Sequence, residues 1–115
     1  MNVDFLRKYC LSLSAVTEDI KWGNDLVFSI GDKMFCVASL ETPFKCSFKV
    51  KDEEFGEMSN RNGFMPAPYM ARANWVLVTE PSKLNKKQWE QSIKLSYELV
   101  SKKLTKKLKT QLGIQ

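Results

Sequence analysis

The 115-residue sequence contains no histidine. Without an imidazole the chain can form neither a Ser-His nor a Cys-His catalytic pair, and it lacks the usual nitrogen ligand of zinc and iron. It has no apolar run near the roughly 20 residues that a membrane helix requires, and no apolar block follows its first basic residues as in a secretory signal. We therefore expect a cytoplasmic protein with no metal site and no membrane partner.

Cysteine is scarce, with only Cys10, Cys36 and Cys46 in the chain. An odd number of cysteines does not suit a disulfide framework, and no Cys-x-x-Cys pair is available for zinc binding or redox chemistry. Apolar neighbours favour a buried, structural role for all three thiols in a reducing compartment. The alternative, a reactive thiol, is indicated only by Lys45 beside Cys46.

Motifs of catalytic sites are missing as well. The sequence has no phosphate-binding glycine loop and no Gly-x-Ser-x-Gly elbow. Its closest group of acids, Glu53, Glu54 and Glu57, has no basic or nucleophilic partner nearby in sequence, so we interpret these side chains as charges at the start of a helix. We expect no enzymatic activity and no cofactor.

The composition and the hydrophobic patterns predict one folded domain over residues 1–115. Apolar residues make up 43% and charged residues 27% of the chain, as in ordinary globular proteins. Residues 26–30 and 33–40 flank a Gly-Asp turn and predict a β-hairpin, and residues 44–50 alternate between apolar and polar side chains. The two prolines in residues 64–72 exclude that stretch from the centre of a sheet. The predicted fold class is α+β: an antiparallel sheet of about five to six strands, with an N-terminal helix, a short middle helix and a long C-terminal helix packed mainly on one face.

The long helix carries the excess positive charge. Asn85 and Gln88 form a capping-box pattern at its start, and its apolar stripe continues to Leu112, so we expect one helix that ends at Gly113. Residues 1–93 contain 12 basic and 12 acidic residues, whereas residues 94–115 contain six lysines and one glutamate. The net charge of +5 therefore lies entirely on this segment, and residues 101–115 form a basic helical extension. Such asymmetry is typical of a surface for a polyanion, although the charge pattern alone favours the solvated face of a terminal helix.

Several short blocks along the chain occur in the order found in a known family. They are Trp22-Gly23, Leu26-Val27-Phe28, Gly31-Asp32-Lys33-Met34-Phe35, Ser47-Phe48-Lys49-Val50, Met65-Pro66-Ala67-Pro68-Tyr69-Met70-Ala71-Arg72, Trp75-Val76 and Ser96-Tyr97-Glu98-Leu99-Val100. From about Phe5 to Leu108, the sequence resembles the MmcQ/YjbR-like proteins. The resemblance implies a small bacterial cytoplasmic α+β domain whose fold is similar to that of type III secretion chaperones. It also implies DNA binding by a double-wing arrangement, and it brings no catalytic residues.

Under this resemblance the Gly31-Asp32 turn and the loop near Gly63 become the tips of the two wings. The chain departs from the family at one point, because many relatives carry a histidine shortly before the tryptophan strand and this chain has Asn74 before Trp75. A role that depends on an imidazole there is therefore not expected.

Ten cations form the predicted nucleic-acid-binding set, because phosphate contacts come mainly from lysine and arginine. Lysines at period two along a strand also suit an ordinary solvent face, and residues 60–63 also suit a simple polar turn. The set is Lys45, Lys49, Lys51, Arg61, Arg72, Lys102, Lys103, Lys106, Lys107 and Lys109.

The expected function is that of a non-enzymatic protein that binds DNA through a basic surface. The alternative is a protein-interaction or chaperone-like module, in which Leu104, Leu108 and Leu112 pack on a protein partner or on a second copy. A third, weaker hypothesis places a small-molecule pocket near Trp22, Tyr69 and Trp75, although the periodicity favours a core position for the tryptophans.

Overall fold

One antiparallel sheet of six strands organises the molecule, in the order β1-β2-β3-β4-β6-β5. The computed structural model describes residues 1–114. The number and direction of the strands confirm the sequence prediction. The strands are β1 Val16–Lys21, β2 Asp25–Ile30, β3 Lys33–Ser39, β4 Cys46–Lys49, β5 Phe64–Pro66 and β6 Trp75–Val78.

Within residues 1–114 four α-helices accompany the sheet; an asparagine side chain caps the first of them, and the predicted capping box begins the third. The Asn2 side chain accepts a 2.8 Å hydrogen bond from the Phe5 backbone N–H. Asn85 and Gln88 exchange both hydrogen bonds of a capping box. The helices are α1 Val3–Ser12, α2 Asp52–Ser59, α3 Lys86–Ser101 and α4 Lys106–Leu112, with single 3₁₀ turns at Ala71–Ala73 and Pro81–Lys83.

The register separates the two faces of the sheet. Phe28, Cys36, Phe48 and Val76 lie opposite one another across four strands and are fully buried. Buried residues of α1, α2 and α3 belong to the same apolar cluster, so these helices cover one face of the sheet as predicted. β5 lies at the sheet edge, where the missing N–H of Pro66 interrupts no central ladder.

The C-terminal segment differs from the single helix that the sequence predicts. α3 ends at Ser101, and the next turn tightens, because Leu104 N–H bonds to the Ser101 carbonyl. Thr105 has an extended backbone, and its side chain accepts a hydrogen bond from Leu108 N–H, so it caps a new helix. The break turns α4 toward the β2–β3 turn, and the basic extension is a separate short helix that ends at Gly113.

All three cysteines are buried free thiols, which confirms their predicted core position. The sulfur atoms of Cys36 and Cys46 lie 3.4 Å apart on neighbouring strands.

Candidate functional site

Four parts of the chain meet at one end of the sheet because of its antiparallel order. β3 begins at Lys33 directly after the β2–β3 turn, and β4, which runs the other way, ends there at Lys49. Trp75, the first residue of β6, pairs with Lys49. The C-terminal half of α3 reaches the same end, since the Ser96 hydroxyl contacts both the Phe35 carbonyl and the Lys49 N–H.

Hydrogen bonds to backbone carbonyls hold two of the basic side chains at this end, Lys49 and Lys109. The Lys49 ammonium donates a 2.6 Å hydrogen bond to the Ala73 carbonyl, next to Arg72. Lys49 and Lys103 line the same cleft, and burial, followed by the charge of Lys103, lowers the pKa of Lys49. The Lys109 ammonium donates a 3.3 Å hydrogen bond to the Lys102 carbonyl and so connects α4 to the end of α3.

α4 packs directly on the β2–β3 turn. A Cβ atom at Gly31 would lie 3.0 Å from Leu108 Cδ2 and 3.1 Å from Leu104 Cδ1. Leu104 is buried, and Leu108 and Leu112 are half-buried against the core cluster. The leucine row predicted for a partner or a second copy therefore packs on its own chain.

We call this part of the molecule the basic end. Within residues 1–114 none of its cations forms an ion pair with a carboxylate, whereas Arg7 and Arg61 do. The acid that lies closest to one of these cations along the sequence is Asp32, which directly precedes Lys33 in the β2–β3 turn. The cations of the basic end are Lys33, Lys49, Arg72, Lys102, Lys103, Lys106, Lys107 and Lys109.

Three members of the predicted set are not among these cations, although Lys51 lies only two residues beyond Lys49. Lys45 precedes β4 and lies at the opposite end of that strand. Lys51 precedes α2, whose first turn carries three acids. The Arg61 guanidinium binds the Glu57 carboxylate at 2.7 Å and lies over the Phe64 ring. Of the ten predicted residues, seven are therefore brought together, and their contact with nucleic acid remains a prediction.

Neither predicted wing tip projects freely from the fold. The Gly31 turn is covered by α4, as described above. A Cβ atom at Gly63 would lie 2.6 Å from Lys83 Cγ, so the second turn packs against the 3₁₀ turn before α3. The double-wing arrangement therefore remains a prediction of the resemblance.

The tryptophans divide between core and surface. Trp89 is buried, and its indole N–H donates a hydrogen bond to the Pro81 carbonyl. Trp75 is 3% exposed, whereas Trp22 is 67% exposed in the β1–β2 turn, at the opposite end of β2 from the basic end. The structure therefore does not bring Trp22 near Trp75 and Tyr69.

A cleft of about 380 Å³ opens at the basic end. Its walls carry the ammonium-bearing side chains of Lys33, Lys49 and Lys103, and its remaining lining is apolar. Lys33, a strand lysine at the first hairpin, is not in the predicted set, and it lines this cleft with Lys49 because β3 and β4 are neighbouring strands.

Residues 1–114 contain neither a group of metal-ligating side chains nor an apolar helix of membrane-spanning length. No three cysteine or carboxylate side chains are grouped so that they could hold a metal ion. No helix in that range is long and apolar enough to cross a membrane.

These features define a small α+β protein with one helix-covered sheet and one strongly basic end. The sequence model of the YjbR family matches residues 11–99, and the chain belongs to that family. No curated protein sequence matches the chain.

Two solved structures share the fold. A Deinococcus radiodurans protein, DR2400, described with a DUF419 domain, is 27% identical, with 99% of this chain and 89% of that chain covered and a TM-score of 0.88. A Pseudomonas syringae protein is 21% identical, with 86% of this chain and 98% of that chain covered and a TM-score of 0.72. The second likeness is one of fold alone.

Proposed function

We propose that this protein binds nucleic acid, DNA in particular, through the basic end. The observation that carries the proposal is the packing of residues 102–109, which carry five of the cations, beside the segments of Lys33, Lys49 and Arg72, with none of the eight ion-paired with a carboxylate in residues 1–114. Unpaired cations on one surface release condensed counterions from a phosphate backbone when they bind it. The molecule therefore has an electrostatic surface suited to a polyanion.

The geometry favours binding without strong base selectivity. At about 100° per residue, Lys106, Lys107 and Lys109 point in three directions across the exposed side of α4. Only some of them can face one strand of phosphates at a time. The exposed side of α4 carries lysine rather than the arginine and asparagine side chains that read base edges. We therefore expect three to five phosphate contacts, with a slope of log K against log salt of roughly −3 to −4.5 on duplex DNA.

Fluorescence anisotropy with labelled duplex and single-stranded DNA, from low to physiological salt, tests this proposal. The informative variant is Lys102→Gln/Lys106→Gln/Lys107→Gln, which removes three exposed lysines of the basic end. We expect it to weaken binding and to flatten the salt slope by up to about 2.7 on duplex DNA.

The matched control is Lys8→Gln/Lys21→Gln/Lys87→Gln, which removes three exposed lysines that lie outside the basic end. It lowers the net charge by the same amount, and we expect it to keep most of the affinity. The proposal is overturned if the wild-type chain does not bind at low salt, or if the two triple variants lose the same affinity.

A further inference from the structure

The cleft at the basic end exists because two neighbouring strands separate there. β3 and β4 pair only as far as Cys36 and Phe48, so the backbone groups of Phe35 and Lys49 do not meet. The Ser96 hydroxyl lies between them, donating 2.6 Å to the Phe35 carbonyl and accepting 2.9 Å from the Lys49 N–H. The Ser96 hydroxyl thus provides a hydrogen-bond partner for one backbone group of each strand where the two strands separate.

The interior of the cleft is apolar. Met34 and Trp75 come from the sheet, Met70 from the segment before β6, and Val100 and Leu104 from the end of α3 and the turn that follows it. Met34 and Met70 are half-buried, and methionine side chains adapt their shape to a bound group, whereas Trp75 is only 3% exposed and adds a small apolar surface beside them. The volume of about 380 Å³ is within the range of about 300–1,000 Å³ found for ligand pockets.

The charged side chains that line the cleft are all positive. Its three charged lining residues are Lys33, Lys49 and Lys103, and none forms an ion pair with a carboxylate within residues 1–114. Lys49 is half-buried and uses one of its N–H donors on the Ala73 carbonyl, which leaves its other donors for a ligand. An anion placed between Lys49 and Lys103 would relieve their mutual repulsion.

We propose that this cleft is a binding site for a small organic anion, a carboxylate or a phosphate ester with a compact apolar body. The charged group binds the ammonium groups of Lys49 and Lys103, with Lys33 at the β3 side of the opening. The apolar body lies against the two methionines, next to the exposed edge of Trp75. This site goes beyond the proposed function, because it needs a shaped apolar interior, which phosphate binding on an open surface does not.

The experiment compares three probes in a ¹H–¹⁵N NMR titration of the full chain: 1-naphthyl phosphate, 1-naphthol and inorganic phosphate. We expect 1-naphthyl phosphate to shift the Trp75 indole resonance and the amides of Met34 and Lys49 in a saturable way. It should bind at least about tenfold more tightly than either of its parts, because both the charged and the apolar contacts contribute. Shifts centred elsewhere, or equal affinity for 1-naphthyl phosphate and inorganic phosphate, would overturn the proposal.

Substitutions separate the charge of the cleft from its shape. Lys49→Gln/Lys103→Gln should lower the affinity for 1-naphthyl phosphate by about tenfold or more. The matched pair Lys106→Gln/Lys107→Gln, outside the cleft, should leave that affinity unchanged. An equal loss in both pairs would overturn the site.

Met70→Trp fills the cleft and keeps every cation. It should abolish the binding of 1-naphthyl phosphate and preserve any DNA binding, so the two proposals can fail independently. Retained probe binding in a folded Met70→Trp chain would overturn the site. If that variant does not fold, the position of the shifts in the wild-type titration decides the question.

Discussion

The hydroxyl of Ser96 on α3 donates a 2.6 Å hydrogen bond to the carbonyl of Phe35 on β3. The same oxygen accepts a hydrogen bond from the backbone N–H of Lys49 on β4, and Ser96 is fully buried. One side chain therefore replaces the backbone hydrogen bonds that the separated strands do not make. This contact connects the sheet, the last turns of α3 and the basic end.

Removing the Ser96 hydroxyl should lower the free energy of unfolding by more than the loss of a single exposed hydrogen bond would. Ser96→Ala leaves the Phe35 carbonyl and the Lys49 N–H buried without this partner, which should lower the free energy of unfolding by about 2–4 kcal/mol. Urea denaturation followed by tryptophan fluorescence measures the change. Ser92→Ala, on the same helix and half-buried, is the control and should cost under about 1 kcal/mol. Equal effects of the two substitutions would contradict the bridging role.

Gly31 tests the packing of α4 on the β2–β3 turn. Gly31 has a φ of 57°, and an added Cβ would lie within 3.1 Å of both Leu104 and Leu108 side chains. Gly31→Ala combines left-handed backbone strain with this crowding, and should cost about 2–4 kcal/mol. Urea denaturation gives the cost, and loss of amide exchange protection in residues 106–112 shows the displacement of α4.

Gly23 is the matched control for this substitution. Its φ is 87°, and an added Cβ would meet nothing within 4 Å. Gly23→Ala therefore introduces the backbone strain alone, at about 1–2 kcal/mol, and should leave the protection of α4 unchanged. If both variants behave alike, α4 does not depend on the turn.

Local sequence signals predict most of this fold. The Asn2 cap, the Asn85 capping box and the Gly-Asp turn are each determined by neighbours within a few residues, and all three occur in the structure. The break after Ser101 was missed because Val100, Leu104 and Leu108 keep the spacing of one continuous helix. Thr105, a good N-cap residue, was the available signal.

The site was less predictable than the fold because it depends on contacts distant in sequence. Lys103 lines the same cleft as Lys49 because α3 packs on the sheet, and Lys33 lines it because the cleft opens between β3 and β4. These residues are far apart in the sequence, so no periodic pattern along the chain predicts that they share a cleft. Arg61 shows the converse, since a salt bridge to Glu57 four residues earlier was available from the spacing alone.

The ion pair between Arg7 on α1 and Glu18 on β1 should make the free energy of unfolding vary with pH in the acidic range. The Arg7 Nε donates a 2.9 Å hydrogen bond to the Glu18 carboxylate, and this bond holds the pKa of Glu18 below its ordinary value of 4.5. Because the folded pKa is the lower one, the stabilisation is complete above the ordinary value and is lost as the pH falls through the folded pKa.

A double-mutant cycle isolates this effect. We expect Arg7→Gln, Glu18→Gln and the double variant to show a favourable coupling at pH 7 that shrinks toward zero at strongly acidic pH. Urea denaturation at each pH provides the free energies. High salt should weaken the coupling, since both side chains are partly exposed. A coupling that is constant across the pH range would contradict the ion pair.

The buried thiols should be inert until the chain unfolds. Cys10, Cys36 and Cys46 have no measurable exposure. A hydrogen bond with Cys36, followed by burial, raises the pKa of the Cys10 thiol far above its ordinary value. The reactive species is the thiolate, so both the protonation state and the packing oppose the reaction.

Labelling with an excess of iodoacetamide at pH 8, read by mass spectrometry, tests this prediction. In the native chain all three cysteines should react at least about a thousandfold more slowly than in urea, because labelling then requires an opening that exposes the core. The urea-unfolded chain is the control, and it should take up three labels. Rapid native labelling of any one cysteine would place that thiol at the surface. It would also restore the reactive-thiol hypothesis, most directly for Cys46, the cysteine beside Lys45.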